Sequence, residues 1–359
     1  MDFLSNSSWT TNPLIALLIV LLSTVIMGAF LSKNQFPVEG KTILITGASE
    51  GMGLSAARQL SSKGANIILV SRDSTKLAKA QALVESAALH PQTQRFTYFT
   101  ADVSQPDYAA PLLSKAVSWN NGQALDVVWC VAGTSTPDFW FEVPLQRTRA
   151  QMDINFWGGA EMAHAILRLW CAPDAPVLPE AKHLVLTSSA LALFPVIGYG
   201  PYTPAKSALR GLADTLSQEL LVYPQNVKVH VVYPASIGSP GFDRENRTKP
   251  AVTKLIEEGD PVQTPDVVAS GAIRGLERGQ YFITTALFAH IFHWGSLGGS
   301  IRNNWLVDTI MACLIPIVWI FALPDILSKI KKYGKTHGHP SLYREKDIEE
   351  FEKKQKSNA

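Results

Sequence analysis

The sequence has few of the features that mark disulfide-stabilised proteins, zinc proteins or nucleic-acid-binding proteins. Its 359 residues include three cysteines, which lie far apart and form no Cys-x-x-Cys pair. Neither a disulfide framework nor a zinc site is therefore predicted, and a reducing compartment is favoured. The eight histidines have no spacing typical of metal ligands, so we expect no bound metal. A formal net charge of +2 includes no basic stripe of the kind that binds nucleic acid.

Charge is absent from residues 13–31, which form an almost uninterrupted apolar run. About 20 such residues in a helix cross the core of a bilayer, so the run is predicted to be a transmembrane helix. A cleaved signal peptide is the alternative, but it would have a basic start and a shorter apolar core. The first basic residues, Lys33 and Lys41, follow the run. By the positive-inside tendency, they place the next domain in the cytosol.

Two further apolar segments lie towards the C terminus. Residues 286–294 predict a short apolar helix, which either a membrane surface or a substrate tunnel would accept. Residues 306–327 form a second long run, interrupted by Asp308 and Pro316, and a lysine-rich tail follows it. A basic tail prefers the cytosolic side. We therefore expect a re-entrant or interfacial segment, or a hairpin with residues 286–294, in preference to a single crossing.

A short apolar strand at residues 40–46 runs directly into a glycine-rich turn and then into a helical pattern at residues 54–63. In this context the backbone can approach a pyrophosphate, which lies at the positive N terminus of the helix. An ordinary tight turn is the alternative. The succession predicts that a nucleotide is bound by the residues of the turn, Gly47, Ser49, Glu50, Gly51 and Gly53.

The second predicted strand, residues 66–70, ends without an acidic residue. Ser71 and Arg72 stand where NAD-selective folds place the carboxylate that holds the ribose 2′-hydroxyl, and Lys76 follows. An arginine at this place suits a 2′-phosphate. The sequence therefore favours NADPH over NADH, although a solvated arginine at a strand end is the alternative.

Strands and helices continue to alternate along the chain, which predicts a parallel, doubly wound sheet. Asp102 and Val103 follow the third strand, where Asp102 could reach an adenine edge; alternatively, Asp102 or Ser104 could be a helix N-cap. The predicted strands after the second are residues 95–100, 127–130, 183–187, 227–233 and 281–285.

A tyrosine and a lysine stand four positions apart at the start of a predicted helix, residues 203–222. Tyr202 and Lys206 therefore lie on one face. A nearby ammonium favours the phenolate and lowers the pKa of a phenol, which makes a tunable acid or base. Ser189, or alternatively Ser188, ends the preceding strand and could reach the same reacting oxygen. Alone, such a pair also occurs by chance on solvated helices.

Two further segments complete the predicted site. A long helix is predicted over residues 148–169, and Asn155 within it is either structural or part of a polar relay, because a buried asparagine must be hydrogen-bonded. The loop after the sixth strand, which contains Ile237 and Ser239, is placed to cover the nicotinamide end of a cofactor. The polar segment 242–260 resembles a substrate lid.

In this order and at these distances, the glycine turn, Asp102, Asn155, Ser189, Tyr202 and Lys206 resemble the short-chain dehydrogenase/reductase family over residues 40–285. The resemblance implies a Rossmann fold. It also implies that Tyr202 donates a proton, that Lys206 lowers its pKa and binds the nicotinamide ribose, and that Ser189 holds the substrate carbonyl. Asn155 would support a water that leads to Lys206.

Within the family, the residues around Arg72, the segment 240–250 and the hydrophobic ends resemble membrane-bound members that act in sphingolipid synthesis. Those members reduce a long-chain amino ketone with NADPH on the cytosolic face of the endoplasmic reticulum. A steroid, a retinoid or a 3-ketoacyl lipid is the alternative substrate, and a non-catalytic NADPH-binding regulator is the alternative function. The chain departs from the family pattern at Cys130 and Val131, where an Asn pair is common, and at Ala235 and Ser239.

The expected organisation has four parts. Residues 1–32 form a membrane anchor, 33–285 a catalytic domain, 286–327 membrane-associated segments and 328–359 a charged cytosolic tail. The expected partners are a lipid ketone, the bilayer of the endoplasmic reticulum and a second copy in a homo-oligomer, with no nucleic acid.

Overall fold

The computed structural model of the protein describes residues 33–343. Within them, parallel strands form one seven-stranded sheet in the order β3-β2-β1-β4-β5-β6-β7. This order continues the arrangement of a doubly wound dinucleotide-binding fold, so the predicted fold class is confirmed for this part of the chain. The strands are β1 (Thr42–Thr46), β2 (Asn66–Ser71), β3 (Phe96–Thr100), β4 (Val127–Cys130), β5 (Lys182–Thr187), β6 (Val227–Tyr233) and β7 (Phe282–Thr284).

Helices cover both faces of the sheet, because the strand residues that point to either face are apolar. Ile43 and Ile45 of β1 pack in one core cluster, and Leu44 between them packs in the other. Purely parallel sheets are buried on both faces in this way. The helices are α1 (Gly51–Ser61), α2 (Ser74–Glu85), α3 (Ala109–Trp119), α4 (Leu145–Met152), α5 (Gly158–Trp170), α6 (Thr203–Glu219), α7 (Pro240–Thr248), α8 (Ala251–Ile256), α9 (Pro265–Glu277), α10 (Leu287–Gly295) and α11 (Trp305–His337).

The long helix predicted over residues 148–169 is interrupted. A π-helical turn, Asp153–Trp157, separates α4 from α5, and it contains the buried Asn155. Such turns insert one extra residue per turn and often lie at functional sites. The next residues, Gly158 and Gly159, allow α5 to approach Val103 and Leu209 closely, since a side chain at either glycine would meet them.

The second long apolar run forms one continuous helix. α11 contains 33 residues, including Pro316 and Pro324, and is therefore about 50 Å long. Asp308 does not interrupt it, because the Asp308 carboxylate accepts a 3.0 Å hydrogen bond from the backbone N–H of Asn304 and caps the first turn. α10 packs against α11, as the hairpin alternative proposed. Among residues 33–343, α11 is the one helix long and apolar enough to cross a membrane.

Two predicted segments lie outside the described residues. These are the N-terminal transmembrane helix, residues 13–31, and the second half of the charged tail, residues 344–359.

Candidate active site

A cleft of about 640 Å³ opens at the carboxyl ends of the strands, and the loops after β1, β4, β5 and β6 line it. Ligands of open α/β sheets bind at this edge. All fifteen residues predicted from the sequence for catalysis or cofactor binding lie along the cleft or in direct contact with its lining. Asn155 is the one behind the surface, where it bonds to the lining residue Thr134.

The glycine turn between β1 and α1 has the backbone that a dinucleotide requires. Gly47 and Gly51 have φ angles of +70° and +60°, in the left-handed region that favours glycine. A side chain at Gly53 would collide with the carbonyl oxygen of Gly47, so only glycine lets α1 begin this close to β1. These features match the roles of the glycines in dinucleotide-binding turns. The turn therefore fits a pyrophosphate at the N terminus of α1.

Cationic side chains surround the predicted position of the cofactor ribose. Glu50 accepts hydrogen bonds from Lys76 at 2.7 Å and from Arg244 at 2.6 Å. Burial would raise the pKa of Glu50, but these two cations hold it below its usual value. Arg72 is largely exposed and lies 3.8 Å from Asp102. Three cations therefore face the end of the cleft beyond the glycine turn.

Asp102 accepts two local hydrogen bonds, both from Ser104. Its Oδ1 accepts from the backbone N–H and the hydroxyl of Ser104, at 3.0 and 2.7 Å. Burial would raise its pKa, but these bonds and the charge of Arg72 lower it. These bonds close a turn and cap no helix, because α3 begins at Ala109 with Tyr108 as its N-cap. The helix-cap alternative is therefore wrong, and contact with adenine stays a prediction.

The loop after β6 crosses the glycine turn. Ser239 caps α7 by accepting a 3.3 Å hydrogen bond from Phe242, and a side chain at Gly51 would lie 3.5 Å from the Ser239 Cβ. Ile237 lines the cleft beside it. The loop therefore lies over the glycine turn, and its cover of the nicotinamide end of a cofactor stays a prediction.

Tyr202 is the N-cap residue of α6 and lies half-buried in the wall of the cleft. Burial raises the pKa of its phenol, the carboxylate of Glu245 raises it further, and a hydrogen bond with Ser189 acts in the opposite direction. Ser188 instead donates its hydroxyl hydrogen to the Lys206 carbonyl at 2.8 Å and holds α6 against β5. The geometry therefore favours Ser189 as the partner of Tyr202.

The Lys206 ammonium lies behind the tyrosine ring. Its Nζ is 5.8 Å from the ring centroid and donates a 2.9 Å hydrogen bond to the carbonyl of Thr187, the last residue of β5. Burial lowers the pKa of Lys206 to about 8. The pKa of Tyr202 is set mainly by burial in this arrangement, so its lowering by Lys206 stays a prediction.

Asn155 connects the π-helical turn to the loop after β4. Its amide nitrogen donates to the Thr134 carbonyl at 2.8 Å, and its Oδ1 accepts from the Thr134 N–H at 3.1 Å. A side chain at Gly133 would lie 2.8 Å from the Asn155 Oδ1 and 3.1 Å from the Lys206 Nζ. The Asn155 Oδ1 and the Lys206 Nζ therefore both lie beside Gly133, and a polar relay between them stays a prediction.

The Asn pair that many family members have after the central strand is not needed to hold this loop. The Thr46 hydroxyl, at the end of β1, accepts from the backbone N–H groups of Val131 and Ala132 at 3.2 and 3.3 Å. Cys130 is buried, and burial raises the pKa of its thiol to about 12. The thiol is therefore a neutral side chain packed in the core, and the Thr46 hydroxyl makes the hydrogen bonds that hold the loop.

Acidic groups that the sequence did not indicate lie near Tyr202. Tyr199 donates a 2.6 Å hydrogen bond to Glu245. The buried ammonium of Lys249 lies 3.2 Å from Glu245 and 2.6 Å from Glu257. Glu245 and Glu257 both line the cleft. Two carboxylates therefore share one ammonium beside the reacting end.

A model of the family described as short chain dehydrogenase matches residues 41–250. The chain belongs to the short-chain dehydrogenase family. Its curated relatives include a 3-ketodihydrosphingosine reductase of Neurospora crassa, gsl-3, which is 52% identical over 345 residues, 95% of each chain. A 3-ketodihydrosphingosine reductase of Aspergillus fumigatus, ksrA, is 42% identical over 325 residues, 86% of this chain and 88% of the relative.

Solved structures share the fold at low identity. A short-chain dehydrogenase from Sphingobium yanoikuyae in complex with NADPH has a TM-score of 0.60 at 20% identity, over 72% of this chain and 92% of that one. One from Burkholderia phymatum in complex with NAD has a TM-score of 0.61 at 20% identity, over 72% of this chain and 95% of that one. These two similarities show that the chain shares the fold of short-chain dehydrogenases.

Proposed function

We propose that this short-chain dehydrogenase reduces the 3-keto group of 3-ketodihydrosphingosine to the alcohol of dihydrosphingosine, using NADPH, in sphingolipid synthesis. The observation that carries the proposal is 52% identity, over 95% of both chains, to a 3-ketodihydrosphingosine reductase. The site supports it, since Ser189, Tyr202 and Lys206 meet in one cleft with the glycine turn.

The residues of the cleft fit a dinucleotide with a 2′-phosphate. Gly47, Gly51 and Gly53 leave the space for the pyrophosphate, and Arg72 and Lys76 face the place of the adenosine ribose. A guanidinium binds a phosphate through two parallel hydrogen bonds. When bound, NADPH would supply the hydride that reduces the ketone carbon.

The chain supplies the proton and the stabilisation of charge. As the carbonyl oxygen becomes an alkoxide, Tyr202 donates its phenolic proton to it, and the Ser189 hydroxyl donates a hydrogen bond to the same oxygen. Fixed donors aimed at developing charge act mainly in the transition state. Because burial and Glu245 keep the phenol protonated, Tyr202 is ready to act as the acid.

Lys206 and Asn155 position the acid and restore its proton. The Lys206 ammonium is fixed by the Thr187 carbonyl at 2.9 Å, where its remaining N–H groups can hold the nicotinamide ribose. Asn155 holds the loop at Thr134, and its Oδ1 lies beside Gly133 next to the Lys206 ammonium. A water beside Asn155 would carry a proton towards Lys206 and Tyr202.

The carboxylates near Tyr202 favour an amino ketone over a steroid, retinoid or 3-ketoacyl lipid. Glu245 and Glu257 together carry one more negative charge than Lys249 neutralises. A partly buried, uncompensated charge is unfavourable unless it is paired. The protonated amine of 3-ketodihydrosphingosine would supply the missing charge, whereas the other ketones carry no cation.

The proposed location is the membrane of the endoplasmic reticulum, with the catalytic domain in the cytosol. α11 supports membrane attachment. Its most apolar stretch has apolar residues on all sides of the helix, and only 11% of that stretch is buried inside the protein. The proposed organisation keeps residues 1–32 as an anchor, 33–285 as the catalytic domain, 286–327 as membrane-associated segments and 328–359 as a cytosolic tail.

The full-length protein, purified in detergent or in nanodiscs, tests the function with a panel of ketones. We expect NADPH oxidation and dihydrosphingosine formation with 3-ketodihydrosphingosine, detected by mass spectrometry. Steroid, retinal and 3-ketoacyl thioester substrates should give little turnover. Preference for one of these ketones would assign another substrate, and binding of NADPH without turnover of any ketone would favour a regulator.

A further inference from the structure

The cleft continues beyond Tyr202 into a region walled by aromatic rings. Phe194, five positions after Ser189, stacks on Phe292 of α10 at 4.7 Å and on Trp319 of α11 at 5.1 Å. Phe288 meets Phe292 edge-on at 5.6 Å. All four rings line the same cleft as Tyr202. The catalytic end therefore opens directly into an apolar channel.

The position of Trp319 depends on a glycine of α10. A side chain at Gly295 would lie 2.7 Å from the Trp319 Nε1 and 3.0 Å from Ile315. α11 approaches closely here and turns Trp319, and Ile326 two turns later, towards the cleft. Since residues three, four and seven apart share one helix face, Ile315, Trp319 and Ile326 form an inward stripe.

The opposite side of α11 is also apolar. Ile317, Ile320 and Phe321 are 55%, 66% and 74% exposed. A helix with apolar residues on its inner and outer sides separates two apolar regions. For α11 these are the channel on the inner side and the surroundings of the protein on the outer side. A bilayer is the solvent that suits exposed side chains of this kind over about 20 residues.

We propose that the channel of Phe194, Phe288, Phe292, Trp319 and Ile326 binds the hydrocarbon chain of the substrate, and that the chain enters it from the bilayer alongside α11. This inference rests on the proposed function, because it takes the lipid ketone as the occupant. The chain would pass from lipid to aromatic rings without crossing water, while the ketone stays beside Tyr202.

The channel should make the enzyme sensitive to chain length. Each CH₂ transferred from water into an apolar site contributes enough to change an equilibrium about fourfold. For monomeric substrates below their micelle concentration, kcat/KM should therefore rise with each added CH₂ and level off once the chain reaches past Ile326. A value independent of chain length would contradict the channel.

Two variants of one helix separate the channel from the outer surface. Trp319→Ala should lower kcat/KM for the long-chain ketone on the order of tenfold and leave a soluble, short-chain amino ketone nearly unchanged. Phe321→Ala, which removes an aromatic ring from the outer side of the same helix, is the matched control and should change neither. An equal loss for both substrates in Trp319→Ala, or equal losses in the two variants, would overturn the proposal.

A filling variant tests the same channel without removing packing. Ile326→Trp should shorten the usable channel, so that long chains lose activity and short chains keep it. Parental activity with the longest chain would contradict the proposal. Thermal melting and NADPH binding, measured on each variant, identify any that is misfolded, and the remaining variants then decide.

Photolabelling tests the channel independently of turnover. A saturated long-chain amino alcohol with a terminal diazirine, presented in phosphatidylcholine vesicles, should label Trp319, and excess long-chain ketone should prevent this. Labelling of Phe321 by probe in the bilayer should not be competed. Competed labelling of Trp319 in a protein that reduces no ketone would refute the proposed function alone, whereas equal, uncompeted labelling of both residues would refute the channel.

Discussion

Glu245 on α7 lies close enough to Tyr202, at the start of α6, for its carboxylate to add to the effect of burial and raise the pKa of the phenol further. The same carboxylate accepts the hydrogen bond of Tyr199. The segment expected to form a lid thus helps to set the protonation state of the catalytic acid.

Glu245→Gln should move the alkaline limb of the reduction profile to lower pH. Removing the negative charge makes the phenolate less unfavourable, so the pKa of Tyr202 falls and the protonated acid is lost at a lower pH. The measurement is kcat against pH in the reductive direction. Glu258→Gln, an exposed neighbour, is the control and should keep the parental profile, while an alkaline shift in Glu245→Gln would contradict the account.

Gly133→Ala should reduce kcat about 100-fold. The new methyl group would lie 2.8 Å from the Asn155 Oδ1 and 3.1 Å from the Lys206 Nζ, so it should displace both the amide and the ammonium. Gly211→Ala is the control, because nothing lies within 4 Å of its added methyl group on α6. It should keep activity and stabilise the helix by about 1 kcal/mol. Parental kcat in Gly133→Ala would contradict the relay geometry.

Arg72→Ala should raise the KM for NADPH about tenfold to 100-fold, since a hydrogen bond to a charged group contributes roughly 1.5 to 3 kcal/mol. The KM for NADH should change little, because NADH has no 2′-phosphate. Lys79→Ala, an exposed lysine on the same helix as Lys76, is the matched control. Equal changes for the two cofactors in Arg72→Ala would show that Arg72 does not read the phosphate.

The stability of the fold should fall in acid through a buried pair of histidines. His183 and His230 share a 2.9 Å hydrogen bond, and burial lowers their pKa values from 6.5 to about 3 and about 4. Below pH 6.5 these two histidines bind protons in the unfolded chain, whereas in the folded chain they stay neutral. This stability is therefore complete above about pH 6.5 and is lost as the pH falls towards the folded pKa values.

The measurement is the free energy of unfolding against pH between 6.5 and 5. His183→Gln should make the slope shallower by about one proton, or about 1.4 kcal/mol per pH unit. His164→Gln, at an exposed histidine, should leave the slope unchanged. An unchanged slope in His183→Gln would show that this pair does not govern acid stability.

The parts of the fold predicted best depend on residues that are neighbours in the chain. β1, the glycine turn and the start of α1 form one short segment, and Tyr202 and Lys206 are one helical turn apart. The interruption at Asp153–Trp157 was missed, because the one extra residue of a π-helical turn shifts the apolar pattern too little to be recognised in the sequence. Residues 306–327 are expected to form a re-entrant or interfacial segment, or a hairpin with residues 286–294. The structure has one continuous helix that contains Pro316 and packs against α10, as in the hairpin alternative.

The parts of the site that were missed depend on distant contacts. Arg244 reaches Glu50 across 194 positions, and Trp319 meets Phe194 across a shorter but still long stretch of chain. No local pattern distinguishes these residues from others on polar or apolar helices. The sequence assigns no role to Gly133, whose importance depends on the Asn155 Oδ1 and the Lys206 Nζ that both lie beside it in the fold.

The most direct test of the central claim compares the parental protein with Tyr202→Phe in NADPH-dependent reduction of 3-ketodihydrosphingosine. The variant lacks the phenolic hydroxyl and keeps the ring, so it should bind NADPH as the parent does and should lose at least about 100-fold in kcat. A folded Tyr202→Phe protein that forms dihydrosphingosine at the parental rate would contradict the assignment of Tyr202 as the acid.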